Sequence, residues 1–315
     1  MSIVELQRAA EHLAQGQPVA FGTETVYGLG ALATDAQAVR RVFALKGRPA
    51  DNPLIVHVHS RDAIVPQIAA RIDAASAALM DAFWPGPLTL LLDRAPGLPD
   101  EVTAGLGSVG VRMPAHRLAL ALIERAGPLV APSANLSGLP SPTTAQHVLD
   151  DYQGSVPVLD GGPCQVGLES TVVDVRSGQV VVLRPGKLSA QDLAQVCGLP
   201  IGQAEQNPQR PASPGMKYRH YAPSAKVAWL TQPGPQDAQT MVLALDPGAA
   251  SGAHVVHFEG DLVALAQQLY ARFRQADELG CRQIFIEPFE VGDGVSQALL
   301  NRIEKAIGGG ALPQA

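Results

Sequence analysis

Short apolar runs arriving in close succession, punctuated by glycine and proline, constrain this chain most. Pro18–Phe21, Leu54–Val58, Leu88–Leu92, Gly107–Pro114, Pro128–Ala131, Val156–Asp160, Ser170–Val175 and Val180–Leu183 each read as a strand. Helical periodicity fills the gaps. Ile3, Leu6, Ala10 and Leu13 share one helix face before Gly16, and Thr34 or Asp35 is placed to cap a helix from Ala36 to Leu45. Further helices are expected over Ala63–Phe83, His116–Arg125, Thr144–Tyr152 and Ser189–Val196. Several strands follow one another too closely for every pair to be joined by a crossover helix. The expected α/β core is therefore a mixed sheet with flanking helices.

At 315 residues the chain is long for one core. Composition shifts between Leu199 and Ser224, where proline, glycine and glutamine replace apolar periodicity, as in a linker. Beyond it, Val227–Leu230, Met241–Leu245, His254–Phe258 and Ile284–Ile286 read as strands, with helices over Asp261–Gln275 and Ser296–Ala306. The expected division is a larger α/β domain over 1–200, which the resemblance given below makes the catalytic one, a linker over 201–225 and a smaller α/β domain over 226–315.

With 46% hydrophobic and 17% charged residues, the composition is that of a globular protein. The net charge of −6 argues against a broad basic surface for gripping nucleic acid, so any phosphate site has to be local. The three cysteines, Cys164, Cys197 and Cys281, form no CxxC pair and give no zinc signal; they read as packing residues of a reducing cytoplasm. The N-terminal segment lacks a signal peptide's apolar block, and no apolar run reaches the ~18 residues of a membrane helix.

Phe21 to His59 is too polar for a core and too structured for a linker. Lys46 and Arg48 flank Gly47 just before Pro49, a spacing that suits a polyanion such as a triphosphate, with Asn52 and His57 close behind. The plainer account is two solvated cations complementing a helix C-terminus. No GxxxxGK[ST] loop occurs, so an ATP site here has to use scattered side chains. Ser133, Asn135, Ser137 and Ser141 follow a strand in a proline-stiffened loop, which is where α/β sheets place ligands, although such hydroxyls commonly serve only their own turn. Arg112 at a strand end, Ser170–Thr171 and Arg184 are open to both an ion-pair and an anion-binding reading. His57 reads first as a satisfied structural histidine, and Glu169 and Asp174 make no convincing acid/base pair.

Taken together, TETVYGLG (23–30), KGRPADNPLIVH (46–57), FWPGPLTLLL (83–92), VGVRMP (109–114), PSANLSGLPSPTT (132–144), ESTVVD (169–174) and LRPG (183–186) resemble the YrdC-type threonylcarbamoyl-AMP synthase family. The motifs occur in the family's order over residues 1–200. SPGMKYRHYAP (213–223) and the extra domain resemble the long, Sua-type form. The fold implied is a YrdC-like twisted mixed open sheet with flanking helices, plus a smaller C-terminal Rossmann-like α/β domain.

The resemblance implies a cytoplasmic nucleotidyltransferase making threonylcarbamoyl-AMP and pyrophosphate from L-threonine, bicarbonate or CO2 and ATP, with Mg²⁺ accompanying the nucleotide. A tRNA threonylcarbamoyl-transfer system would consume the product, with no membrane attachment and no stable nucleic-acid binding by this chain. By analogy Lys46 and Arg48 are catalytic. They bind ATP together with Asn52, Ser108, Ser133, Asn135, Ser141, Thr143 and Arg184, with Tyr221 as a lid. Thr25, His57, Arg112 and Ser170 would hold threonine, and no protein ligands to a metal are expected. Two alternatives are an RNA-binding protein using the same cleft, which the acidic balance opposes, and a carbamoyl-transfer protein, whose additional zinc-finger and acylphosphatase segments are not found here.

Overall fold

The computed structural model describes residues 3–203, 221–232, 234–292, 294–308 and 312. The first domain runs α1 (Leu6–Ala14), β1 (Val19–Phe21), β2 (Gly28–Leu32), α2 (Ala36–Lys46), β3 (Ile55–His57), α3 (Ala74–Phe83), β4 (Leu88–Asp93), α4 (Asp100–Thr103) and β5 (Ser108–Arg112). It continues with α5 (Arg117–Ala126), β6 (Leu129–Val130), α6 (Ala145–Tyr152), β7 (Val158–Leu159), β8 (Thr171–Asp174), β9 (Val181–Arg184) and α7 (Ala190–Cys197). Its strands form one nine-stranded sheet in the order β7-β1-β2-β6-β3-β5-β4-β8-β9. The sheet is mixed, as expected: β3 pairs β5 in parallel and β6 antiparallel, and β4 pairs β8 in parallel and β5 antiparallel.

Local chemistry explains the elements that position the site. Asp35 caps α2 by accepting from the amides of Gln37 and Ala38, and Ala38, Val39, Val42 and Phe43 bury one face of that helix. Gly47 closes it in the left-handed region at φ 60°, which turns the chain sharply between Lys46 and Arg48.

One expectation fails here. The helix expected over Ala63–Phe83 forms only from Ala74, because Pro66 has no amide to donate and Asp73 starts a new cap by accepting from Ser76 N. Gly28–Leu32 is a strand, and a Cβ on Gly30 would stand 2.7 Å from the Phe21 ring, so that glycine serves cross-strand packing.

The second domain contains β10 (Lys226–Trp229), β11 (Gly234–Pro235), β12 (Thr240–Ala244), β13 (Ala250–Ser251), β14 (His254–His257), α8 (Leu262–Glu278), β15 (Gln283–Ile286) and α9 (Gly294–Ile307). Four of its strands make a parallel sheet in the order β10-β15-β12-β14. The short α4, β11 and β13 carry too little periodicity to be foreseen.

The domains are closely joined. Val26 and Leu168 of the first share an apolar cluster with Leu265, Leu269, Tyr270 and Ile303 of the second. Arg274 forms a bidentate pair with Asp151 at 2.7 and 2.8 Å. Gly167, at φ 78°, lies so near α8 that a Cβ would stand 2.5 Å from Ala266 O. Helix α7 packs through Leu193 into the core of the first domain. No described helix is long and apolar enough to cross a membrane.

Candidate active site

A cleft of about 680 Å³, its open mouth included, lies between the β1–β2 turn, the ends of β3 and β5, the loop after β6, and the 169–184 segment. Thr23 shapes the β1–β2 turn: its hydroxyl donates to Val26 O at 2.6 Å and accepts from the Thr25 amide. That turn presents Glu24 and Thr25 to Arg112, the last residue of β5. Arg112 Nη2 lies 2.7 Å from Glu24 Oε1, Nη1 donates to Thr25 Oγ1 at 2.8 Å, and Nε donates to Gly86 O at 3.2 Å. A guanidinium has five N–H groups, so two remain for an incoming anion.

His57 closes β3 beside it, buried, with Nδ1 lacking a partner among the described residues. Burial, and secondarily the Arg112 charge, push its pKa down to about 3. It is a neutral imidazole at physiological pH, a hydrogen-bonding group and not a proton-transfer base.

The loop after β6 forms the second wall. Lys46 Nζ donates to the carbonyls of Ser133 and Asn135, both at 2.5 Å. Ser133 Oγ donates to Asn135 Oδ1, and Asn135 Nδ2 donates to Leu136 O and Leu139 O. Lys46 is thus the fastener of this loop. It is buried, and desolvation with the nearby Arg48 charge sets its pKa well below the ordinary lysine range. The two cations read as a pair diverge: Arg48 faces the cleft and Lys46 lies behind it.

Arg48 donates to Pro53 O at 3.1 Å, while its buried Nε has no partner among the described residues. Burial lowers its pKa to about 10, so it stays charged at neutral pH. Arg184 grips Ser170 through the carbonyl, at 3.1 and 3.0 Å, and the hydroxyl at 3.0 Å. Ser170 Oγ also lies 2.7 Å from Thr89 Oγ1. The cleft therefore concentrates three guanidinium groups against the carboxylates of Glu24 and Glu169, a positive spot in a protein of net charge −6.

The structure gathers Thr25, Arg48, His57, Arg112, Ser133, Asn135, Ser170, Arg184 and Tyr221 around one cavity. Lys46, Asn52, Ser108, Ser141 and Thr143 do not line it. Asn52 is buried beside Arg48, with Oδ1 unpartnered among the described residues. Ser141 Oγ donates to Glu169 Oε1 at 2.6 Å, and the Thr143 amide donates to His147 Nδ1 at 3.2 Å, so both support the wall from behind. Ser108 begins β5 opposite Asp93, four residues along the strand from Arg112, and the extended backbone carries it away from the cleft.

Sequence reasoning weighed Glu169 only as an acid/base partner of Asp174 and gave it no role, and it missed Glu24, which neighbours a recognised residue, and Tyr270 and Arg302, which come from the other domain. Glu169 accepts from Ser141, from Tyr270 OH at 3.1 Å and from Arg302 Nε at 2.8 Å. Burial alone would raise its pKa, but Arg302, Arg184 and the Ser141 bond outweigh it and bring it to about 2. Tyr221 stacks on Tyr270 with ring centroids 5.4 Å apart, and Ala222 N donates to Gly138 O at 3.0 Å. The end of the linker therefore docks against the cleft, while the rest of the MKYRHYAP stretch before Tyr221 lies outside the described residues.

Residues 11–186 match the Sua5–YciO–YrdC family model, described as telomere recombination, and residues 188–308 match the threonylcarbamoyl-AMP synthase C-terminal domain. The threonylcarbamoyl-AMP synthase of Pyrococcus abyssi is 41% identical, over 96% of this chain and 94% of that protein. That of Bacillus subtilis is also 41% identical, over 97% and 93%. The crystal structure of P. abyssi Sua5 complexed with L-threonine superposes with a TM-score of 0.87 at 38% identity, covering 98% of this chain and 96% of that one.

Proposed function

We propose that this chain, which belongs to the Sua5–YciO–YrdC family in its two-domain form, is a threonylcarbamoyl-AMP synthase. The observation that carries the reading is the cleft itself. Three guanidinium groups, those of Arg112 and Arg184 buried and that of Arg48 half-buried, stand with a ring of hydroxyls around a neutral histidine in an otherwise acidic protein.

The chemistry divides along the cleft. At one end the two remaining N–H groups of Arg112 suit threonine's carboxylate, with Thr25, His57 and Ser170 placed to orient its amine and hydroxyl. At the other, Arg48, Arg184, Ser133 and Asn135 suit the phosphates of ATP. Threonine's amine, having lost a proton, attacks CO2 derived from bicarbonate and gives a carbamate. A carbamate oxygen then attacks the α-phosphorus, the bond from that phosphorus to the bridging oxygen breaks, and pyrophosphate leaves with the electron pair. That is nucleotidyl transfer. Charge grows on the α-phosphoryl and pyrophosphate oxygens, where fixed guanidinium groups act more strongly than water would. No protein nucleophile is needed, and positioning carries much of the rate. Tyr221, walling the mouth, would help to keep water from the carbamate.

Magnesium enters this proposal as a companion of ATP. The donor set does not fit a protein-held ion: Glu24 is paired with Arg112, Glu169 accepts from three side chains, and no metal-binding cluster of His, Cys, Asp or Glu occurs among the described residues. The product, a reactive mixed anhydride, suits consumption by a cytoplasmic transferase that modifies the N6 position of a tRNA adenosine.

The test is pyrophosphate release by the purified protein with ATP, threonine and bicarbonate. Release should need both co-substrates and fall sharply with serine in place of threonine. Release independent of amino acid and bicarbonate would defeat the reading.

A further inference from the structure

The second domain reaches the cleft through two buried side chains. Arg302, on α9, is fully buried; its Nε donates to Glu169 Oε2 at 2.8 Å and its Nη2 to Pro185 O at 3.0 Å. Its guanidinium carbon also lies 5.4 Å from the centroid of the Tyr221 ring. Tyr270, on α8, donates to both Glu169 oxygens, at 3.3 and 3.1 Å, and stacks on Tyr221 with an interplanar angle of 26°. Glu169 and Tyr221 both line the cleft, and both are held from behind by the other domain.

Pro185 joins this cluster to the anion-binding end, because Arg184 precedes it and is anchored on Ser170, the residue after Glu169. The charged and titratable groups around the Glu169 carboxylate are Arg184 from β9, Arg302 and Lys305 from α9, Tyr270 from α8 and Tyr221. A carboxylate so enclosed cannot lose one of these partners without consequence for the anion-binding end beside it.

Building on the adenylation reading, we propose that Arg302 and Tyr270 are positioning residues for the reaction. They hold the Glu169 carboxylate and the Tyr221 ring in the cleft wall, so the second domain is an integral part of the nucleotide site. Neither Arg302 nor Tyr270 lines the cleft itself. Arg302 keeps Glu169 from acting as a free negative charge beside the phosphates, and Tyr270 gives Tyr221 a surface to lie on.

The experiment compares full-length wild type with Arg302→Met, Arg302→Lys, Tyr270→Phe and the charge-neutral double variant Glu169→Gln/Arg302→Met. It measures ATP affinity by calorimetry and the pH profile of kcat/KM for pyrophosphate release. Arg302→Met should lower kcat/KM by about 100-fold and weaken ATP binding. Its acid limb should move to higher pH as Glu169 loses its counter-charge, and Arg302→Lys should return that limb toward wild type. Tyr270→Phe, which keeps the stack and removes only the hydroxyl, should lower kcat/KM by about fivefold with a limb shift of the same sign. The double variant should fold, lose the limb and stay impaired.

A folded Arg302→Met with wild-type ATP affinity, kcat/KM and acid limb would overturn the proposal. If that variant does not fold, Tyr270→Phe and the double variant decide, and wild-type behaviour in both would overturn it equally. A wild-type protein that binds ATP but releases no pyrophosphate would defeat the adenylation reading alone, and the ATP affinities of the variants would still decide the roles of Arg302 and Tyr270.

Discussion

Arg112 Nη2 and Glu24 Oε1 stand 2.7 Å apart, both side chains buried, at the point where β5 meets the turn between β1 and β2. The pair presets an arginine that would otherwise be a costly isolated charge, and leaves two of its N–H groups for a ligand. Arg112→Lys keeps the charge but loses the planar fork. It should raise KM for threonine by about 100-fold with a smaller effect on KM for ATP, measured by steady-state pyrophosphate release. Glu24→Ala strands the guanidinium and should cost about 3–5 kcal/mol of stability, read by chemical denaturation.

Lys46 and Arg48, one residue apart from each other across Gly47, should respond oppositely to substitution. Lys46→Met removes two short donations to the carbonyls of Ser133 and Asn135, and should destabilise the protein by about 3 kcal/mol while loosening the cleft wall after β6. Arg48→Ala removes a side chain that faces the cleft and makes one good hydrogen bond, to Pro53 O at 3.1 Å. It should lower kcat/KM by at least about 100-fold with a much smaller change in Tm. Differential scanning calorimetry beside the activity assay separates the two.

Stability should fall with acidification well before carboxylates titrate. The pKa of His57 drops from 6.5 to about 3 on folding, chiefly through burial, so only the unfolded chain takes up its proton below pH 6.5. The contribution is complete above that value and is lost toward pH 3, at about 1.4 kcal/mol per pH unit. His147, lowered to about 4, adds a loss of the same sign between 6.5 and 4. Glu169 acts lower: its contribution is present above pH 4.5 and disappears toward 2. Urea denaturation at pH 7.5 and 5.5 should give a lower midpoint at 5.5, and His57→Gln should flatten the difference. A wild-type midpoint that rises on acidification would contradict the assignment.

Gly167→Ala should weaken the join between the domains. The residue sits at φ 78°, where an L side chain is strained, and its Cβ would stand 2.5 Å from the α8 backbone. The substitution should cost about 2–3 kcal/mol and increase hydrogen exchange in α8 ahead of the nine-stranded sheet.

The mixed sheet was legible because closely spaced apolar runs leave little room for crossovers. Arg48, Arg112 and Arg184 were legible as candidates because each stands at an element end or beside a turn. What escaped was of another kind. That Lys46 fastens a loop depends on the Ser133 carbonyl, which no side-chain pattern reports. Glu169 stands next to Ser170 in the sequence, but its partners Tyr270 and Arg302 lie 101 and 133 residues away and carry no local signal. Ser108 shows the converse. It lies in the same strand as Arg112, but four residues of extended chain separate it from the cleft.

On the adenylation reading, one cavity joins a threonine carbamate to the α-phosphorus of ATP. Incubation of the purified protein with ATP, threonine and ¹³C-bicarbonate, followed by mass spectrometry, tests it most directly. The expected product is a ¹³C-labelled threonylcarbamoyl-AMP with one pyrophosphate formed per adduct, abolished in Arg48→Ala. Unlabelled threonyl-AMP, or pyrophosphate without any carbon from bicarbonate in the product, would contradict it.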